Sequence, residues 1–324
     1  MRTSLSHGAL AIVAEWPTDE PLELLLKTMR STNQPRRKAI ALRGSLRMIG
    51  ANDQRSPEQT LTMVKELLSL SNRPEEQRQA LSSIGKLKTA SALTFASGFL
   101  KNDSVKGEAE TAVIEIAHST IGAYPEETRS ALDSIVQSGS SDEAKKRAAD
   151  VLALPAKAAG FVLAWEVSPS YHRDNVDYKT LFDMPFPPEI AGQEKQTPWR
   201  LMPVLTSADQ PYLLDLLALW GGEQRVAYLR TAIKAESEKD VTLELGSDDG
   251  VKAWLNGAVV ISDNTARAVA PGQEKAQIHL KAGWNTLLLK VTQNNQGWGA
   301  CCRILGPDGN PTTDLQYSVA PAAH

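Results

Sequence analysis

The sequence predicts an α + β chain in two parts, an all-α helical-repeat half followed by an all-β antiparallel jelly-roll sandwich. Three observations carry this. From Ser4 to Leu154 apolar residues recur at spacings of three and four, the period of an amphipathic helix. From Phe161 onward apolar and polar residues alternate, the period of a strand with one buried face. Tryptophan is also unevenly placed: Trp16 stands alone in the first half, while Trp165, Trp199, Trp220, Trp254, Trp284 and Trp298 lie in the second.

The totals agree with two domains. A chain of 324 residues suggests about two on length alone. We place a helical domain at 1–154, a linker at 155–160 and a β domain at 161–324. The net charge is -3. Of 35 basic residues 20 precede position 155, and of 38 acidic residues 19 do, so neither half is basic enough to argue for nucleic acid. No apolar run reaches the length of a membrane span. The apolar stretch from Ala9 to Ala14 is too short for a signal-peptide core, so an export signal has been removed or was never present. The only cysteines are the neighbours Cys301 and Cys302. A disulfide framework is thereby excluded, and alternation along a strand would bury one thiol and expose the other.

In the first half, Pro21, Pro35, Pro57, Pro74 and Pro125 stand where helices begin, because a first-turn residue has no helical use for an N–H. They divide about nine helices of roughly 10 to 15 residues. The pair Ala9-Leu10 returns as Ala41-Leu42, Ala80-Leu81 and Ala112-Val113, at steps of 32, 39 and 32. A two-helix period in this range indicates an α-solenoid, in which each hairpin buries its face against its neighbours. HEAT-like repeats fit best, with a bundle of unrelated helices as the alternative. The first helix matches the second helix of each later pair, so we expect the chain to be part of a longer protein.

Pro155 and the small residues up to Gly160 end the helical pattern. Strands are predicted over Phe161–Val167, Leu201–Val204, Arg225–Ile233, Val241–Gly246, Val251–Leu255, Ala258–Ser262, Ala276–Leu280, Trp284–Gln293 and Ala300–Leu305. Tyr171 to Gln196 reads as a long irregular loop, and Tyr212 to Trp220 fits a strand or a helix. Asn256-Gly257 marks a tight type I′ turn, since both residues tolerate positive φ.

Between Gly246 and Val251 the sequence Ser-Asp-Asp-Gly sets Asp248 and Asp249 side by side at a strand end. Paired carboxylates can chelate a hard cation such as calcium when other oxygens complete the shell. Asp and Gly are equally the residues of a plain turn. SDDG followed by V-x-x-W-L-N-G resembles the central signature of the protective-antigen-type (anthrax toxin-like) β-sandwich domain. The stretches Ala282–Gln293 and Trp298–Gly309 are similar to that family's late strands. In the lectin branch the paired aspartates bind calcium, which bridges to sugar hydroxyls. By that resemblance Asp248 and Asp249 hold calcium or sugar hydroxyls directly, with Asn295 completing the shell and Trp298 stacking on the sugar. The cysteine-rich surroundings of the yeast lectins are absent here.

Other candidates are weaker. The loop Gln293–Gly299 supplies amides and Trp298, whose ring either covers a sugar's C–H face or anchors the loop in the core. Asn264 and Arg267 border the same end, where Arg267 could fork onto a uronate or sulfate. Trp165, Trp254 and Trp284 are expected in the core. His7, His118, His172, His279 and His324 are too scattered for a zinc site, and no phosphate loop, nucleophile elbow or HExxH motif occurs. Asp174, Asp177 and Asp183 are the only hint of glycosidase carboxylates.

The expectation is therefore a noncatalytic carbohydrate-binding accessory module with a helical spacer or docking region, assisted by calcium, with a polysaccharide or glycan ligand, and secreted or periplasmic by resemblance. The alternatives are a protein-interaction scaffold capped by a structural sandwich, and a fragment of a sugar-active enzyme whose catalytic domain lies elsewhere.

Overall fold

The structure is a computed structural model and describes residues 6–51, 55–70, 73–203 and 209–319. It divides into two compact units, one formed by 1–117 with 126–151 and the other by 118–125 with 152–324.

Among the described residues the first unit holds helices α1 (His7–Ala14), α2 (Leu22–Ser31), α3 (Pro35–Ala51), α4 (Pro57–Ser69), α5 (Pro74–Ile84), α6 (Ala90–Ser97), α7 (Lys106–Thr120), α8 (Pro125–Ser138) and α9 (Asp142–Leu152). Prolines open α3, α4, α5 and α8, and Pro21 is the N-cap of α2. Ser56 caps α4 through a reciprocal pair with Gln59, satisfying two N–H groups that a helix start leaves unpaired. The repeated Ala-Leu pair lands at buried positions of α1, α3, α5 and α7, where Leu10, Leu42, Leu81 and Val113 are fully buried. Contacts run between near neighbours in the chain, α3 touching α1, α2, α4 and α5. Gly44 explains one close approach: a methyl there would collide with Ala14 on α1.

The expected linker contains a short helix α10 (Leu154–Lys157); Pro155 in its first turn starts a helix rather than ending one. Two antiparallel sheets follow. One joins β1 (Glu166–Val167), β2 (Arg200–Leu201), β4 (Arg225–Ala235), β6 (Val251–Leu255), β7 (Ala258–Asp263), β9 (Gly283–Gln293) and β11 (Gln316–Ser318). Its order is β2-β1-β4-β9-β6-β7, with β11 beside β4. The other, in the order β3-β10-β5-β8, joins β3 (Leu214–Asp215), β5 (Lys239–Asp248), β8 (Glu274–Leu280) and β10 (Gly299–Leu305). Contacts of β5 with β9 and of β7 with β8 bring the sheets together.

Register places Leu229, Leu289 and Ala253 in one row and Ala227, Val291 and Val251 in the next, all fully buried. The opposite face of this sheet carries Val226, Tyr228 and Leu288, and the segment after β1 covers it. That segment, expected to be irregular, contains α11 (Tyr178–Asp183) and a 3-10 turn at Pro187–Glu189. Leu181 and Phe186 from it pack with Val226 and Tyr228, with Trp199 and Trp254 against them.

Several expectations are corrected. Phe161 to Val167 is not one strand: Phe161 bridges to Arg303 in one sheet and Glu166 pairs with Arg230 in the other, so the segment crosses between sheets. Tyr212 to Trp220 holds both alternatives, β3 followed by α12 (Leu216–Trp220), which Asp215 caps at Ala218 N. Val204 of the expected edge element lies outside the described residues, as does His324. Cys301 and Cys302 are both buried. Cys301 pairs with Gly246, where any methyl would strike the carbonyl of Ala270; the loop 264–273 thus covers the outer face that alternation alone would expose. Burial pushes the Cys301 thiol up to about 12.

The Asn256-Gly257 turn has φ of 50° and 84° and joins β6 to β7, as its residues require. Ser-Asp-Asp-Gly carries the chain from β5 in one sheet to β6 in the other, with a cis peptide bond between Asp248 and Asp249.

Candidate functional site

Three segments meet at the end of β5: Ser247–Gly250, the loop 264–273, and the loop 294–298 that joins β9 to β10. Asp249 holds them together. Its Oδ1 accepts from Arg267 N at 3.0 Å and its Oδ2 from Asn294 N at 2.7 Å. Its own N–H donates to Thr292 O at 2.9 Å, and its carbonyl accepts from the Ser247 hydroxyl at 2.6 Å. The residue is only 5% exposed. Loop backbone without helical or sheet partners must find acceptors when buried, and Asp249 supplies two.

Arg267 is equally committed. Its guanidinium donates to Asp263 at 3.1 Å, Glu274 at 2.7 Å and the Ser247 hydroxyl at 3.0 Å. The proposed fork onto a ligand is spent on loop closure. Gln273 completes the tie by accepting from Ser247 N and donating to Ala268 O. Asn264 donates to Lys179 O at 3.2 Å, fastening its loop to α11.

Trp298 is 3% exposed. Its Nε1 donates to Val291 O at 3.3 Å, and its carbonyl accepts from Leu216 N and Leu217 N. Of the two expectations for its ring the core anchor holds, and no face is free to stack on a sugar. Its bulk is enclosed because β10 begins at the next residue and draws it between the sheets.

Asp248 and Asn295 differ from these. Asp248 is partly buried, against Gly297, where a methyl would collide with its carboxylate. Burial first, and the Asp249 carboxylate second, push its carboxyl up to about 6, against the opposing pull of a hydrogen bond from Val269 N–H. Asn295 is exposed. The structure thus splits the six residues named from sequence: Asp249, Arg267, Asn264 and Trp298 hold loops, and Asp248 and Asn295 retain polar groups toward solvent.

Calcium takes six to eight oxygen ligands. The named set offers two carboxylates and one amide, and Asp249 already gives an oxygen to each of two N–H groups. Among the described residues no group of three or more His, Cys, Asp and Glu is placed to hold a metal ion. These donors do not make a calcium cage by themselves.

Sequence reasoning missed the neighbouring hollow. It measures about 540 Å³ and is lined by His172, Asn175, Asp177, Glu223, Gln224 and Asn294, among others. Gln224 Nε2 donates to the Asn294 carbonyl at 2.8 Å and to Asn294 Oδ1 at 3.0 Å, while Gln224 Oε1 accepts from Tyr178 N at 2.6 Å. Asn294 therefore has its N–H on Asp249 and its side chain in the hollow. No motif announces this, since the residues come from three distant stretches; positive φ at Gln224, 51°, has no sequence signal in a glutamine. Asp177, considered for catalysis, caps α11 by accepting from Thr180 N at 2.9 Å. Among the described residues no helix is long and apolar enough to cross a membrane.

No family model matches the chain, and no curated protein matches it. Solved structures do. An anti-sigma factor domain-containing protein is 15% identical with a TM-score of 0.30, covering 50% of each chain. A family 35 carbohydrate binding module from an environmental isolate is 16% identical at 0.24, over 29% of this chain and 72% of that one. The PA14 domain of the antifreeze protein MpAFP is 13% identical at 0.26, over 51% and 77%. The chain spans half the length of the first of these. Scores this low carry no argument about ligand.

Proposed function

We propose that the β-rich unit is a noncatalytic carbohydrate-binding module, and that the helical unit, read as HEAT-like repeats, spaces or docks it within a secreted or periplasmic protein. One observation carries the reading: Asn294 is clamped by Asp249 while its side chain, with Gln224, Asp177 and His172, lines a polar hollow, and the next residue in the chain, Asn295, is exposed. Sugars are recognised by planar amides and carboxylates held rigid before the ligand arrives. The similarity of SDDG and its downstream strands to the protective-antigen-type signature supports the same end of the sandwich. Recognition in this reading runs through direct hydrogen bonds, Asp248 accepting from sugar hydroxyls and the amides of Asn294 and Asn295 donating or accepting, and calcium is decided by experiment.

The test is a glycan array and affinity electrophoresis through polysaccharide gels, in calcium and in chelator. Retention that Asn295→Ala removes without a change in Tm, or that Asp248→Ala removes without a fall in Tm, supports the proposal. Equal retention in chelator assigns direct binding, and loss in chelator assigns calcium to Asp248. Absence of retention on every glycan under both conditions overturns it.

A further inference from the structure

We propose that the helical unit binds a short peptide segment of a partner protein, an acidic-apolar stretch followed by basic residues, in the hollow between α3 and α5. The starting point is α3 itself, which carries Arg36, Arg37, Lys38, Arg43 and Arg47 and no carboxylate. Arg36, Arg37 and Lys38 lie in the first turn, while Arg43 and Arg47 lie further along the helix and line the hollow.

Arg43, Arg47, Arg55 and Lys86 line a hollow of about 650 Å³, and among the described residues no acidic side chain does. Two of the four are occupied. Arg47 donates to the carbonyls of Ala14 at 2.9 Å and of Trp16, closing the end of α1, and Arg55 pairs with Asp19. Arg43 and Lys86 are exposed and make no hydrogen bond or ion pair among the described residues. Arg55 Nη1 is buried without a hydrogen-bond partner among the described residues. Leu46, Ile49 and Leu87 supply apolar lining between the charges. The hollow therefore suits carboxylates next to an apolar side chain, and it is larger than a small inorganic anion needs.

A second hollow of about 360 Å³ adjoins the first, since Ser82 lines both. Its charges are reversed: Glu108 and Glu115 line it; Glu108 pairs with Arg78 at 3.2 Å, and Glu115 is exposed. A ligand crossing α5 passes from a positive to a negative field. A continuous polyanion, such as a sulfated glycan, is attracted by the first hollow and repelled by the second. A peptide whose charge changes sign along its length meets complementary charge in both, and its apolar residue fills the lining between.

The test uses the full chain and fluorescence anisotropy with a synthetic fluorescein-labelled peptide, a glutamate and leucine block followed by lysines. Heparin oligosaccharide and an all-lysine peptide are the comparison probes. The expected result is saturable, salt-sensitive binding of the block peptide, weakened at least about tenfold by Arg43→Glu with Lys86→Glu at unchanged Tm. Both side chains are exposed, so folding should be intact, and the variant should gain affinity for the all-lysine peptide. Absence of block-peptide binding, equal binding by the double variant, or tighter binding of heparin at the same residues would overturn the proposal.

Discussion

In the helical unit the buried side chains are mainly Leu, Ile, Met, Val and Ala, whereas the β-rich unit buries Lys290, Glu244, Asp249, Asn285 and Gln293. The difference follows from how each backbone is paired. Helices satisfy their own N–H and C=O groups, so only ends and connections need help. Where the helical unit buries carboxylates, Glu110 accepts from the N–H and hydroxyl of Ser140 in the turn between α8 and α9, and Glu76 pairs with Arg73 at the start of α5. The β-rich unit covers its sheets with irregular chain and must pin each covering segment. Asp249 pins two loops, Glu244 pairs with Arg303 and Lys275, and Lys290 donates to Met184 O at 2.7 Å and Glu189 at 2.8 Å. In such a unit a buried polar residue is first a fastener, and ligand groups are sought among its exposed neighbours.

This contrast breaks if the fasteners prove dispensable. Trp298→Ala empties a buried aromatic site and should cost about 3–5 kcal/mol, read as a fall in the denaturant midpoint of the β-rich unit. Lys290→Ala leaves Glu189 without its buried partner, and breaking a buried pair costs about 3–5 kcal/mol; burial already lowers the Lys290 pKa. A loss below about 1 kcal/mol would show that the covering segment needs no pin. Asp249→Ala and Glu110→Ala should each cost about 1–3 kcal/mol by orphaning loop donors, with the effect confined to the unit that holds the residue.

A pH series sharpens the distinction between the two aspartates. The Asp248 carboxyl titrates near 6 when folded and near 3.9 when unfolded. The folded state therefore holds the proton more tightly between those values. Stability from this group is complete below about pH 4 and is lost as pH rises through about 6. Asp248→Asn should flatten that slope in urea midpoints measured from pH 4 to 8. Asn295→Ala comes last, with a stability change within about 0.5 kcal/mol and loss of glycan retention.

Periodicity made the elements legible. The Ala-Leu steps fell in α1, α3, α5 and α7, and alternation located β4 to β10, because each element carries a regularly spaced apolar face. Strand β11 escaped it, and the two-residue strands β1 to β3 were marked only within the longer or ambiguous elements Phe161–Val167, Leu201–Val204 and Tyr212–Trp220, being too short to show a period of their own. The fate of Trp298, Arg267 and Asp249 was not legible, since each depends on which loops converge from distant sequence. Asn295 and Asp248 were legible as polar residues in turns, but the hollow lined by Gln224 and Asn294 was not. Gln224 and Asn294 are neighbours only through the pairing of β4 with β9.

Hydrogen-exchange mass spectrometry on the full chain, with and without an oligosaccharide retained on the array, tests the central claim most directly. Slower exchange confined to 247–250, 293–297 and 172–178, and abolished by Asn295→Ala, is the predicted result. Protection elsewhere on the sandwich, or no protection at saturating ligand, would contradict it.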